Sequence, residues 1–259
     1  MELARSFLMK NGIKMIKIPK GSGVIGSNGW FQPSRNKPII DVEILHDYYL
    51  SETPITSAQW KSLGMPDPSR IPNAHTPVES VTRRLALSWI QRLNQKFPEI
   101  EGLNGTFRLP TEVEWEYAAR SGDKTRRPGK DYTLGGVISS MRGGGAVQGS
   151  LEQNYISKGY KPRSVEDLSS NKWGLKGMIG DVAEHCLDPY IETNTGVPKD
   201  GSCRKGKGLL FQGKEMFAQR GASFDINPKD MNYFWKGGVS DDDADARDGF
   251  RIAWIPIKS

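Results

Sequence analysis

Phe107-Arg108-Leu109-Pro110-Thr111-Glu112-Val113-Glu114-Trp115-Glu116-Tyr117-Ala118-Ala119-Arg120 is the stretch on which the reading of this chain turns. Thr111 can cap a helix, and Glu114 three residues later can answer it, which makes a capping box. Trp115, Ala118 and Ala119 then fall on an inward face. Upstream, Thr56 and Gln59 form a second capping box before Trp60 and Leu63. Between the two, a helix is expected from about Thr82 to Lys96. Leu85, Trp89 and Leu93 recur at i, i+4 and i+8 with Ile90 beside them, giving one apolar face. Nearer the N-terminus the pattern is extended: Met15 to Ile18, Val24 to Gly26, Ile39 to Ile44 with alternation, and Tyr48 to Leu50.

Downstream of Ser121 the chain changes character. Gly, Ser, Asn, Asp and Lys dominate, with apolar islands at Trp173, Leu209-Leu210-Phe211 and Phe250. No long helical period remains, so long loops pinned by Trp and Gly, with a few short strands, are expected. No internal repeat and no Pro- or Ser-rich linker divides the sequence. One domain over residues 1–259 is expected, with 1–14 as an N-terminal extension.

The 259 residues can bury a sizeable core, and the formal net charge is +6. Lys and Arg are scattered among acids rather than gathered on a stripe, so nucleic acid is not an expected partner. No apolar run reaches the roughly 20 residues of a membrane span. Met1 to Lys20 has no uninterrupted apolar core of a secretory signal. A cytoplasmic or virion-associated protein is expected. Cys186 and Cys203 could pair or stay reduced. Neither sits in a CxxC pair, so a structural zinc is not expected.

Four stretches resemble signature blocks of the formylglycine-generating-enzyme-like (sulfatase-modifying factor) family. The first is Ile18 to Gly21 and Ile25 to Ser27, continued by Tyr49 to Thr56. The second is Phe107 to Arg120, matched almost residue for residue. The third runs from Asn171 to His185. The fourth joins Arg220-Gly221-Ala222-Ser223-Phe224 to Gly249-Phe250-Arg251. The resemblance implies an α+β, loop-rich variant of the C-type lectin fold with few helices and short antiparallel strands. Within it Arg108, Glu114, Arg120 and Arg251 would be internal anchors, satisfying irregular backbone.

The founding enzyme of that family holds copper with two cysteines just after the fourth block, since a soft thiolate suits Cu(I). Counted from Arg220, the matching positions here are Ile226 and Met231, so copper is not expected. Resemblance also implies calcium, through Glu184 and the backbone of Gly180 and Val182. Gly177 replaces the usual side-chain oxygen, and Asn154 with Tyr155 matches part of a second site. The usual tryptophans of the third block are Ala183 and His185. Asp241 to Asp248 is the strongest charge run, read as a solvated loop or, functionally, as a recognition surface or ion clamp.

Two functions follow. The first is a non-catalytic ligand- or protein-binding module, a virion or surface-display component able to assemble as an oligomer. Its ligand would be a protein or glycan. Its binding face would be Asp225, Asn227, Asp230, Asn232, Tyr233, Phe234 and Trp235, because aromatics give contact area at low entropy cost and Asn and Asp give adaptable hydrogen bonds. Packing of those aromatics into the core is the alternative. The second is a divergent metal-dependent oxygenase, similar to the family's sulfoxide synthases. Cys186, Cys203 and His185 would be its soft ligand candidates, while His46 and His75 read as isolated histidines.

Overall fold

The computed structural model describes residues 5–28, 34–100, 102–125, 162–223, 226 and 232–257. Its helices start where the capping chemistry predicts. Thr56 caps α1 (Ser57–Lys61) in a full capping box with Gln59, and Thr82 caps α2 (Arg83–Lys96). Thr111 caps α3 (Glu112–Ala119): the Glu114 N–H donates to Thr111 Oγ1 at 3.1 Å, and the Thr111 N–H donates to Glu114 Oε2 at 2.9 Å.

Two helix faces differ from expectation. The stripe that α2 buries passes through Ala86, Trp89, Ile90 and Leu93, while Leu85 stays 37 % exposed. Ala86 and Leu93 are one near-integral pair of turns apart, so a face centred on them turns Leu85 outward. Helix α3 is buried on every side, its three glutamates included. A helix can be enclosed that way only if each carboxylate finds donors or cations inside.

The first half of the chain carries β1 (Ser6–Leu8), β2 (Lys14–Ile18), β3 (Gly21–Ile25), β4 (Ile40–Ile44), β5 (Tyr48–Ser51), β6 (Glu99–Ile100) and β7 (Leu103–Arg108). The second half carries β8 (Ala183–Pro189), β9 (Leu210–Phe211), β10 (Lys214–Arg220), β11 (Lys236–Ser240), β12 (Asp248–Gly249) and β13 (Ala253–Pro256). One sheet has the order β1-β2-β5-β13-β7-β6, so strands from both ends of the chain share it. A second runs β11-β10-β8-β12, with β9 added to β10; its β8–β12 pair is parallel. Strands β3 and β4 form a separate ribbon. Residues 5–14 supply β1 and send Phe7, Met9 and Ile13 into the core.

Two apolar clusters hold these layers. One, between α2 and the first sheet, centres on Trp60, Trp89, Phe107, Phe250 and Trp254. The Trp60 and Trp89 rings stack at 6.1 Å between centroids, with Phe250 edge-on to both. The other packs α3 against both sheets through Trp115, Leu175, Met178, Ile179, Tyr233 and Phe234. No helix among the described residues is long and apolar enough to cross a membrane.

Candidate functional site

The signature blocks meet at a layer of buried charge under α3. Glu184, on β8, is fully buried; its Oε2 accepts from Trp115 Nε1 and from Arg251 Nε, both at 2.6 Å. Arg251 Nη2 reaches Glu184 Oε1 at 2.8 Å and the Lys176 carbonyl at 2.9 Å, and its Nη1 reaches the Ser51 carbonyl at 3.0 Å. One guanidinium therefore ties the last strand, β5 and the third block together. Arg108 and Glu114 form a two-pronged pair at 2.6 and 2.7 Å. Forked geometry of this kind is what a guanidinium offers and an ammonium does not.

Glu116 sits at a second junction. It accepts from Arg120 Nε at 2.8 Å, from the Gly26 N–H at 2.8 Å and from Arg220 Nη2. Burial alone would raise its carboxyl, but Arg120 and Arg220 outweigh burial and hold it below its ordinary value. Glu112 lies 3.7 Å from Lys236 Nζ and 3.8 Å from Arg220 Nη1, with no hydrogen bond to either of its oxygens. Burial lowers the Lys236 ammonium, with Glu112 opposing. Burial, aided by the Glu112 charge, pushes Asp188 up to about 6, against hydrogen bonds from the Arg204 and Glu112 N–H groups.

Beside this layer lies a shallow groove, partly open to solvent, with Arg163, Leu168, Ser170, Met178, Ile179 and Tyr233 among its walls. Its shape follows from the loop leading into β8. Asn171 Oδ1 accepts from the Trp173 and Leu175 N–H groups at 3.0 and 3.1 Å, and its Nδ2 donates to the Ala118 carbonyl at 2.8 Å, which closes the end of α3. Asp181, fully buried, receives the Arg163 Nε and Nη2 at 3.0 and 2.8 Å. Gly177 has φ +64°, and a Cβ there would meet Leu168 Cδ1 at 2.7 Å. Gly221, at φ +94°, would put a Cβ 3.0 Å from the Trp115 ring, and its carbonyl accepts from the Gly180 N–H at 2.7 Å. Both glycines let backbone pack where no side chain fits.

The residues singled out in the sequence are distributed as follows. Asn232, Tyr233 and Phe234 are buried, Tyr233 and Phe234 within the α3 cluster, and Trp235 is half-buried against it. Of that run, Tyr233 reaches the groove. Asp225, Asn227, Asp230 and Met231, like Asn154 and Tyr155, lie outside the described residues. Ile226 is half-buried on the cluster that forms the groove wall. Glu184, one of the calcium candidates with Gly180 and Val182, has both oxygens engaged by Arg251 and Trp115.

The soft ligand candidates stand apart. Cys186 and Cys203 are free thiols. Burial raises the Cys186 thiol well above its ordinary value and Cys203 to about 11. His46 is exposed, and exposed His75 lies 3.0 Å from Glu166. His185 is enclosed, with Nε2 at 2.7 Å from the Val81 carbonyl. Among the described residues, no group of three or more His, Cys, Asp or Glu side chains is arranged to hold a metal ion. The copper chemistry implied by the resemblance does not fit the donor set, because hydrocarbon stands at Ile226 and thiolates are disfavoured at both cysteines. The Asp run is engaged piecewise: Asp241 with Arg83, Asp242 with Arg84, Asp243 with Lys214, and Asp245 with Arg247.

The sulfatase-modifying factor enzyme 1-like domain profile matches residues 3–255. The chain belongs to that family. A formylglycine-generating enzyme of Thermomonospora curvata is 30 % identical over 165 residues, covering 58 % of this chain and 50 % of the enzyme. The chain thus spans about half the length of that curated relative. The chaperone protein LppX of Paenibacillus barcinonensis is 28 % identical over 217 residues, covering 66 % of this chain and 73 % of LppX. Among solved structures, PvdO from Pseudomonas aeruginosa aligns with a TM-score of 0.72 at 18 % identity, over 98 % of this chain and 99 % of PvdO. Treponema denticola variable protein 1 aligns with a TM-score of 0.72 at 21 % identity, over 97 % and 99 % of the two chains. These structures share the fold, the α+β, loop-rich domain that the signature blocks imply.

Arg163, Leu168 and Ser170 line the groove and Asp181 holds Arg163 in place, and no sequence pattern marks any of the four. Asp181 lay inside the third block, but its positive φ of 63° and its tie to Arg163 leave no local pattern. Leu168 and Ser170 precede the block in a stretch that reads only as loop.

Proposed function

We propose that this domain is a protein-binding module that grips an extended polypeptide segment in the groove beside Tyr233. The observation that carries the reading is the pairing of an intact scaffold with an Ile226 at the reactive position. The anchors Arg108, Glu116, Arg220 and Arg251 are all engaged, whereas the position that resemblance assigns to a copper thiolate holds hydrocarbon. The apolar lining of Leu168, Met178, Ile179 and Tyr233 suits contact with an apolar side chain, and the exposed residues Ser169 and Ser170 carry hydroxyls able to orient a backbone. Glu184 belongs to Arg251 in this reading and not to calcium. One relative is described as an enzyme and another as a chaperone, so the family's scaffold is put to more than one use.

A random peptide library displayed on phage, selected against the wild-type domain, tests the reading. Ser170→Trp fills the rim without touching the anchors. Selected peptides should bind the wild type and lose at least tenfold affinity on Ser170→Trp. Peptides that bind both proteins equally would place the binding face elsewhere. Enrichment on a glycan array instead of the peptide library would overturn the polypeptide assignment.

A further inference from the structure

Strands β9 and β10 form a hairpin that extends past the rest of their sheet. Its turn is Gln212-Gly213, both at positive φ, 49° and 78°, the combination that suits a tight right-twisted hairpin. Phe211 faces Lys214 and Leu210 faces Glu215 in register. Leu209, Leu210 and Phe211 are 48, 64 and 59 % exposed. Consecutive strand side chains point to opposite faces, so apolar surface is presented on both faces of this tip. Three exposed large apolar side chains in a row mark an interaction surface rather than ordinary scatter.

Lysines gather along the chain at the tip: Lys205 and Lys207 precede β9 and Lys214 opens β10. Lys205 and Lys207 are exposed. Two carboxylates stand near them with local partners: Glu215 Oε1 accepts from the Gly208 N–H at 2.7 Å, and Asp243 pairs with Lys214 at 2.7 Å, which leaves Lys205 and Lys207 as the exposed cations before β9. A protein groove closing on one face would cover alternate side chains and leave the others in water. A lipid interface surrounds both faces at once, and anionic headgroups complement lysines beside the apolar tip.

We propose that this hairpin docks the domain on an anionic lipid bilayer, with Leu209, Leu210 and Phe211 entering the acyl boundary and Lys205 and Lys207 meeting headgroup phosphates. The seven residues of β10 separate the tip from Arg220 and Gly221 by roughly 20 Å. The groove walls include no residue of this hairpin, so lipid docking does not rest on the peptide-binding reading.

Flotation of the full chain with large unilamellar vesicles is the direct test. Vesicles of phosphatidylcholine with about one-third phosphatidylglycerol (a composition chosen for its anionic field) should carry the protein to the top of the gradient. Pure phosphatidylcholine should carry much less, and salt should weaken binding. Leu210→Ser with Phe211→Ser should lower partitioning at least about tenfold, and Lys205→Glu with Lys207→Glu by a similar factor. These side chains are exposed, and an unchanged circular dichroism melt verifies that the variants fold. An environment-sensitive nitrobenzoxadiazole label at Leu210→Cys, on a Cys203→Ser background, should brighten on vesicle addition. No flotation with anionic vesicles, equal flotation of wild type and variants, or an unchanged label overturns the proposal. Self-association in sedimentation velocity that the serine pair abolishes, without vesicle binding, overturns it in favour of a second copy of the chain.

Discussion

Replacing Glu184 by Gln probes the buried layer where it is most committed. Glu184 and Arg251 are both fully enclosed, and the carboxylate accepts hydrogen bonds at 2.6 and 2.8 Å from that guanidinium and 2.6 Å from Trp115. Gln keeps the shape but removes the charge, leaving the Arg251 cation in a water-poor site with only carbonyl partners. Breaking one side of such a pair costs about 3–5 kcal/mol. For a domain of this size each kcal/mol is roughly 2–4 °C, so a fall of about 6–20 °C in Tm is expected. Urea denaturation and differential scanning calorimetry measure both quantities. Replacing both members, Glu184→Leu with Arg251→Met, should recover part of the loss because no unpaired charge remains. The same series tests calcium. A micromolar site at Glu184 would add about 4 kcal/mol at millimolar free calcium, and the account predicts no Glu184-dependent gain. A Glu184→Gln loss below about 1 kcal/mol, or a calcium gain that this substitution abolishes, would refute the reasoning.

Three further outcomes are expected. Gly221→Ala should cost about 1–3 kcal/mol more than Gly64→Ala in urea titrations; both sit at positive φ, but only Gly221 would press a Cβ against Trp115. Burial pushes the His185 imidazole from 6.5 down to about 4, with the Val81 carbonyl opposing. The unfolded chain then binds the extra proton, so this contribution, about 3 kcal/mol, is full above pH 6.5 and lost as pH falls toward 4. Asp188, raised to about 6, acts oppositely, its protonation favouring the folded state as pH falls below 6. Stability of His185→Gln, measured from pH 7 to 4.5, should therefore rise relative to wild type as pH falls; a constant offset would contradict the burial argument. Iodoacetamide at pH 7 should label Cys203 slowly and Cys186 only after denaturation, read by peptide mass spectrometry, because Cys186 is fully enclosed. Equal labelling in the native protein would contradict that burial.

What the sequence discloses is set by how local its causes are. The capping boxes at Thr56 and Thr111 act over three residues and are visible as letters. Arg108, Glu114, Arg120 and Arg251 are legible as anchors because they stand in blocks that the family shares. The second sheet is not legible. Its central strands carry Glu184, His185, Gln219 and Arg220, which read as surface polarity but are buried. Their partners lie far along the chain: Arg251 is 67 residues from Glu184, and Arg220 is 104 from Glu116. Tyr233 and Phe234 carry a parallel lesson, since aromatics beside Asn and Asp suit a binding face and a core equally well until long-range packing decides. The groove is formed by a loop, and no periodicity marks it.

The central claim is that the family scaffold persists here while the thiolate chemistry of its reactive position does not. Anaerobic titration of the purified chain against a chromogenic Cu(I) chelator tests this most directly. Two thiolates at the reactive position would withdraw one equivalent of Cu(I) from the chelator. With Ile226 and Met231 there, and Cys186 enclosed in the core, the account predicts that the chelator keeps its copper. Stoichiometric transfer of Cu(I) to the protein, followed in air by conversion of a cysteine-containing peptide to the aldehyde, would contradict it.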